Sequence, residues 1–231
     1  MPANENWARK IIRAWDPGYR PRWEIFDSLL QSLQGDNKIC LEIGSGSSGA
    51  LEPVHTFKLK IHSDLTSPSR SLSAEIPFIQ MNTYNLPIKN SRVDLILLRF
   101  VVEHLAEPER AFSEFKRILK TNGHLIILTT NLSSPLIFLP KILPYPLRKK
   151  LIQRLFKVPD EDIFPTYHRI NRKGKVKKLA LDFQIMNWDY LQDANWLHRW
   201  WFLLFFSWHL VTGWLHLEFL RSNFIVLLKK S

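Results

Sequence analysis

The sequence holds one cysteine, Cys40, so no disulfide can close within the chain. Inside the apolar run Ile39-Cys40-Leu41 that thiol reads as buried and inert, in keeping with a reducing cytosol. A cysteine nucleophile and a metal site both fail for want of clustered partners. No segment repeats at a fixed period. The first residues, MPANENWARK, lack the apolar stretch and small-residue cleavage site of a secretory signal, so a cytoplasmic location is expected. Acidic residues are few: 21 Asp and Glu stand against 32 Lys and Arg, a formal net charge of +11. What is plentiful is apolar material, 45% of 231 residues, which suffices for a real core and excludes disordered or collagen-like architectures.

Charge and tryptophan are both concentrated. Between Lys141 and Lys178 twelve Lys or Arg face only Asp160, Glu161 and Asp162. Such a segment attracts anionic surfaces, phospholipid headgroups or nucleic acid. Six of the nine tryptophans, Trp188, Trp196, Trp200, Trp201, Trp208 and Trp214, lie in the last fifth of the chain. From Trp200 to Leu217 there are 18 residues without a formal charge. As a helix they would rise ~27 Å, short of a ~30 Å hydrocarbon core. A helix lying in the membrane interface or a short re-entrant hairpin fits this stretch, as does a hydrophobic cap or a dimer contact.

Periodicity predicts an α/β fold. Residues 5 to 34 read as helical with a break at Asp16-Pro17-Gly18, a cap candidate. Short apolar runs at Ile39–Ile43, Leu59–His62, Val93–Leu98 and Leu125–Thr129 read as buried parallel strands with helices between them. The clearest helix is Pro108 to Lys120, where proline opens the first turn and Ala111, Phe112, Phe115, Ile118 and Leu119 form one stripe, stopped by Asn122-Gly123. Alternation of this kind implies right-handed crossovers, with ligands at the strands' carboxyl ends.

The segment Ile39-Cys40-Leu41-Glu42-Ile43-Gly44-Ser45-Gly46-Ser47-Ser48-Gly49 ends a strand in a turn built for close approach. Its glycine spacing alone also matches a dinucleotide fingerprint. Asp64, 22 residues after Glu42, stands where a carboxylate can accept from both ribose hydroxyls. Glu42 separates the readings: a carboxylate there repels a pyrophosphate and suits a cationic ligand.

With these residues in view, positions 38 to 130 resemble the core of a class I S-adenosylmethionine-dependent methyltransferase of the small-molecule, type 11-like kind. The likeness rests on ICLEIGSGSSGALEP, SDLTSP and NTYNLPIKNSRVDLILLRFVVEHLAEPERAFSEFKRILKTNGHLIILTTN, in that order. The resemblance implies a Rossmann-like, doubly wound, mostly parallel sheet with an antiparallel last strand, plus a helical C-terminal insertion. It implies S-adenosyl-L-methionine as cofactor, with Glu42, Gly44 and Gly46 around its methionine part, Asp64 on the ribose and the Asn82-Thr83 pair beside the adenine; Ser45, Leu65 and Arg99 are further cofactor-binding candidates. Two positions depart from the family pattern. Ser48 replaces the third glycine, with Gly49 one later, which shifts the expected helix start, and Asn82 replaces the usual Asp. Residues 163 to 187 and a strand at Phe224–Leu228 resemble the family's tail. A helical cap at 1–37 then precedes a methyltransferase domain at 38–231 with attachments at 134–162 and 189–221, which should select the acceptor.

Methyl transfer from a sulfonium asks mainly for alignment, and an aliphatic hydroxyl acceptor also asks for a base. His168, His104 and Tyr167 are the candidates; Arg99 could lie under the cofactor or pair with Glu103. The expected acceptor is a hydrophobic or lipid-linked small molecule, with the aromatic segment covering its site. Peripheral contact with the inner face of a membrane is expected through 136–157 and 196–220. Methylation of RNA or DNA is the rival enzyme reading, disfavoured because no Asn-Pro-Pro-Tyr or Asp-Pro-Pro-Tyr loop follows strand four. A noncatalytic membrane scaffold is the rival from another class, and a nicotinamide oxidoreductase is set aside by Glu42.

Overall fold

A computed structural model describes residues 3–46, 49–52, 54–67, 75–142, 144, 147, 165–194 and 198–231. Their order is α1 (Ala3–Trp15), α2 (Arg22–Ser32), β1 (Gly35–Ile43), β2 (Phe57–Asp64), β3 (Phe78–Gln80), β4 (Val93–Arg99), α3 (Pro108–Ile118), β5 (Leu119–Thr130), α4 (Pro135–Ile142), α5 (Lys173–Leu179), β6 (Phe183–Leu191), α6 (Arg199–Trp214) and β7 (Asn223–Lys230). Ser48, Ile163, Phe164, Trp196 and most of the expected basic attachment, including 148–162, lie outside the described residues.

The strands form one sheet in the order β3-β2-β1-β4-β5-β7-β6, mostly parallel with one antiparallel strand. β1 pairs with β2 and β4, placing Cys40 beside both Lys60 and Leu95. Its centre is apolar on both faces: Cys40, Leu41, Ile43, Leu95 to Leu98 and Leu125 to Leu128 are all buried. That double burial is what continuous apolar runs, as opposed to alternating ones, encode. Burial also pushes the Cys40 thiol well above its usual range, with Glu42 adding to the effect, so it stays protonated and inert.

α3 follows its stripe, burying Ala111, Phe112, Phe115 and Ile118. It ends sooner than the sequence suggests, at Ile118, because the N–H groups of Ser91 and Arg92 take the carbonyls of Arg117 and Ile118. Lys230 donates to the Lys116 and Leu119 carbonyls, both at 2.7 Å, satisfying further acceptors left open at the helix end. Asn122-Gly123 therefore falls within an irregular start of β5, where the register against β4 jumps between Leu119 and His124.

A second correction concerns the β1–β2 connection, where a helix was expected. Among the described residues from Gly49 to Thr56 there is none. Side chains capture the backbone instead: Glu42 accepts from the N–H groups of Ala50 and Leu51, His55 Nδ1 from that of Glu52 at 2.9 Å, and Lys60 Nζ donates to the carbonyls of Glu52 and His55. Local bonds of this sort compete directly with helix formation.

The chain divides into two compact units. One comprises Met1–Asp27, Asn131–Pro165 and Tyr190–Phe224; the other comprises Ser28–Thr130, Thr166–Asp189 and Ile225–Ser231, and contains most of the sheet. In the first unit, Phe202 and Phe206 of α6 pack with Ala8, Ile12 and Ala194, and Trp7 meets Phe202 edge-on at 5.2 Å. His209 Nε2 lies 2.7 Å from Asp16 Oδ2, and Trp208 Nε1 donates to the Leu220 carbonyl. Burial holds the His209 pKa below its usual value against the opposing pull of Asp16.

Candidate active site

All the site residues expected from the sequence belong to the second unit, most of them at or just beyond the carboxyl ends of its parallel strands, with Tyr167 and His168 in the segment before α5. Gly44 leaves β1 with φ +73°, and a Cβ there would lie 2.3 Å from Val101 Cγ2. Only glycine meets both demands. The N–H groups of Gly44 and Ser45 donate to the Ser63 carbonyl at 2.8 and 3.0 Å, folding the loop across the end of β2. Gly46 also has positive φ, +54°, but its would-be Cβ meets nothing within 4 Å among the described residues, so its face of the loop is open to them. Ser45 Oγ is buried and finds no hydrogen-bond partner among the described residues.

Glu42 carries a task the sequence did not disclose. Its fully buried carboxylate accepts from Ala50 N–H at 2.7 and 2.8 Å, from Leu51 N–H at 3.2 Å, and from His62 Nδ1 at 2.9 Å. Arg99 Nη2 stands 3.8 Å from its other side. The oxygens expected to face a ligand are thus largely occupied in shaping the loop, while the negative charge remains beside it.

Asp64 Oδ2 accepts from Gly46 N–H at 2.8 Å and Oδ1 from Leu65 N–H at 2.7 Å. An ionised carboxylate offers about four acceptor positions, so capacity remains for a diol. Leu65 is 62% exposed, an apolar surface beside that carboxylate, and Gln80 Nε2 on β3 supports its carbonyl at 2.8 Å. Asn82 Oδ1 accepts from Tyr84 N–H at 2.9 Å, so the amide oxygen expected at an adenine already closes its own turn. Half-buried Thr83 sits within that turn. The Tyr84 hydroxyl in turn accepts from Ala106 and Glu107, tying the turn to the start of α3.

The three candidate bases come together around one residue. The Glu103 carbonyl accepts from the N–H groups of both Tyr167 and His168, at 2.8 and 3.0 Å, and His104 follows Glu103 directly. His168 is held at φ +50°, a left-handed conformation that costs free energy for any residue but glycine. The buried Glu103 carboxyl accepts from Thr129 Oγ1 at 2.7 Å, and Asn171 Nδ2 donates to Thr129 Oγ1 and to the Thr130 carbonyl. No sequence motif announced this network, because Glu103, Thr129 and Asn171 meet only through the fold.

Burial raises the Glu103 pKa above 4.5, against lowering contributions from its hydrogen bonds and from His104. A group with a raised folded-state pKa binds its proton more tightly in the folded chain. Its contribution to stability is therefore complete below the ordinary carboxylate range and is lost as pH climbs through the raised value. Glu103→Gln, neutral at every pH, is expected to flatten that part of the fall in melting temperature that sets in as pH rises above the ordinary carboxylate range. Thermal melts of both proteins across this range check it, and parallel curves would refute it.

Comparison with known proteins agrees with this geometry. Residues 41–127 match the family model described as a methyltransferase domain. This core is similar to methyltransferase domains. The chain is similar to a demethylmenaquinone methyltransferase of Bacteroides fragilis, with 30% identity over 133 residues, covering 54% of this chain and 49% of that one. It thus spans about half the length of such curated relatives. Its fold resembles that of an S-adenosylmethionine-dependent methyltransferase from Mesorhizobium loti, with a TM-score of 0.58 at 12% identity, covering 90% of this chain and 97% of the other. It also resembles a geranyl diphosphate C-methyltransferase from Streptomyces coelicolor A3(2), with a TM-score of 0.57 at 11% identity, covering 90% and 74%. The chemistry of the residues around the glycine turn fits S-adenosylmethionine. Asp64 keeps acceptor capacity beyond its bond from Gly46, Leu65 exposes an apolar face beside it, and at Gly46 no side chain of the described residues is in the way.

Proposed function

We propose that this chain transfers a methyl group from S-adenosylmethionine to a hydrophobic or lipid-linked small molecule at a membrane surface. The observation that carries the reading is the joining of Gly46 to Asp64 at the open face of the glycine loop. Bound there, the cofactor would supply an electrophilic methyl on a sulfonium with a good leaving group. Gly44, Ser45 and Gly46 would lie along its methionine part, Asp64 would accept from its ribose, and Leu65, with the Asn82-Thr83 turn, would flank its base. For an acceptor that must lose a proton, the His168 imidazole is the favoured receiver. Its neighbour Tyr167, 47% exposed, would contact the acceptor, and Glu103 holds both in place through its carbonyl. His104 is the second choice of base. Similarity to a demethylmenaquinone methyltransferase supports an apolar small-molecule acceptor.

The membrane half rests on α6. Its inner side is the buried seam with α1, whereas Trp200, Leu204, Val211 and Trp214 recur at spacings of four, seven and three along its outer side and are exposed, the two tryptophans at 82% and 81%. Leu139 and Ile142 of α4, in the same unit, are exposed as well. No helix among the described residues is long and apolar enough to cross a membrane, so contact of this kind would be interfacial.

The test is transfer of radiolabelled methyl from S-adenosylmethionine into a lipid extract and, separately, into RNA. Label is expected in the organic phase with the wild type and absent with Asp64→Ala. Label in RNA, or none in either, would overturn the acceptor reading. In parallel, Trp200→Ala/Trp214→Ala is expected to weaken sedimentation with vesicles containing phosphatidylglycerol roughly tenfold or more. Equal sedimentation would remove α6 from the membrane contact.

A further inference from the structure

We propose that His62 is a positioning residue for the cofactor loop, and that it is the reason the residue at position 49 is glycine. The proposal rests on the cofactor reading above. His62 is on β2, directly beside Glu42 on β1 in the parallel register. Both side chains are buried, and His62 Nδ1 lies 2.9 Å from Glu42 Oε2. A carboxylate oxygen can only accept, so Nδ1 carries the proton and donates it. That bond leaves Glu42 aimed at the N–H groups of Ala50 and Leu51, the segment just beyond the glycine turn. His62, Glu42 and the Ala50-Leu51 backbone therefore form one chain of hydrogen bonds running from β2 into the loop.

The imidazole also shapes the loop by its bulk. A Cβ at residue 49 would lie 2.3 Å from His62 Cε1 and 2.7 Å from Nδ1. Gly49 has no positive φ, unlike Gly44 and Gly46, so its backbone conformation does not demand glycine. The demand comes from the ring across from it. This accounts for the displaced third glycine: the small residue stands where the loop passes over His62. A ring buried on two sides by strands cannot swing away, so the loop is held at a fixed distance above β2.

The experiment is calorimetric binding of S-adenosylhomocysteine to the full chain, with far-ultraviolet circular dichroism on each variant. His62→Ala is expected to weaken binding roughly 10- to 100-fold by releasing Glu42 and the loop. His62→Gln, which keeps an N–H donor, is expected to recover most of that loss, to within about fivefold of wild type. Gly49→Ala is expected to weaken binding by more than about 30-fold, or to prevent folding, in the wild-type background. In the His62→Ala background the same change is expected to cost less than about threefold, because the obstructing ring is gone. An equal Gly49→Ala penalty in both backgrounds, or wild-type affinity in a folded His62→Ala, would overturn the proposal. Absence of binding by the wild type would instead defeat the cofactor reading, a separate failure.

Discussion

Gly44→Ala is expected to damage both the stability of the chain and its cofactor site. At φ +73° an alanine would occupy the left-handed region, and its Cβ would lie 2.3 Å from Val101 Cγ2. The first effect costs about 1 to 2 kcal/mol and the second about 1 to 3 kcal/mol. Valine is stiff about χ1, so Val101 has little freedom to give way. A combined loss of about 2 to 5 kcal/mol is a large share of the 5 to 15 kcal/mol that holds an ordinary domain together. For a chain of this size it lowers the melting temperature by roughly 5 to 20 °C. Thermal melting of the purified variant checks this, together with cofactor binding below the transition, which is expected to be lost. Wild-type melting and binding would show that the loop tolerates a different path out of β1.

Asp64→Ala is expected to leave most of the fold and remove the cofactor site. The carboxylate is half-exposed at the end of β2, so its loss opens no core cavity. It does release the N–H groups of Gly46 and Leu65, and with them the turn that carries the exposed Leu65 face. Hydrogen bonds from two hydroxyls to an ionised carboxylate are worth about 3 kcal/mol or more together, a loss of at least roughly 100-fold in affinity. Asp64→Asn keeps one oxygen but no charge, and a loss of about tenfold is expected. Titration of the three proteins with S-adenosylhomocysteine measures the series. Equal affinities would move the ribose away from Asp64.

What the sequence disclosed follows from which forces are local. The runs Ile39–Ile43, Val93–Leu98 and Leu125–Thr129 are apolar on both faces because β1, β4 and β5 are central in the sheet. Proline at the start of α3 and the break at Asp16-Pro17-Gly18 are backbone chemistry that any context must respect. β3 escaped notice because three residues at a sheet edge, Phe78–Gln80, leave no periodic trace. The missing helix after the glycine turn was equally hidden. It is lost to bonds from Glu42, His55 and Lys60, two of which reach in from neighbouring strands. At the site, Gly44, Gly46 and Asp64 could be read from spacing, since their roles concern the backbone and one strand end. The partners of Glu42, the ring opposite Gly49 and the Glu103–Thr129–Asn171 network could not, because each joins residues 8 or more positions apart only when the sheet has formed.

The central claim is that the glycine turn and Asp64 form a site for S-adenosylmethionine, and calorimetric titration of the wild-type chain with that cofactor and its demethylated product tests it most directly. The account predicts one site per chain with micromolar affinity, on the order of −8 kcal/mol, for both ligands, and a matching rise in melting temperature when either is added. No heat and no thermal shift at millimolar concentrations of either ligand would contradict it.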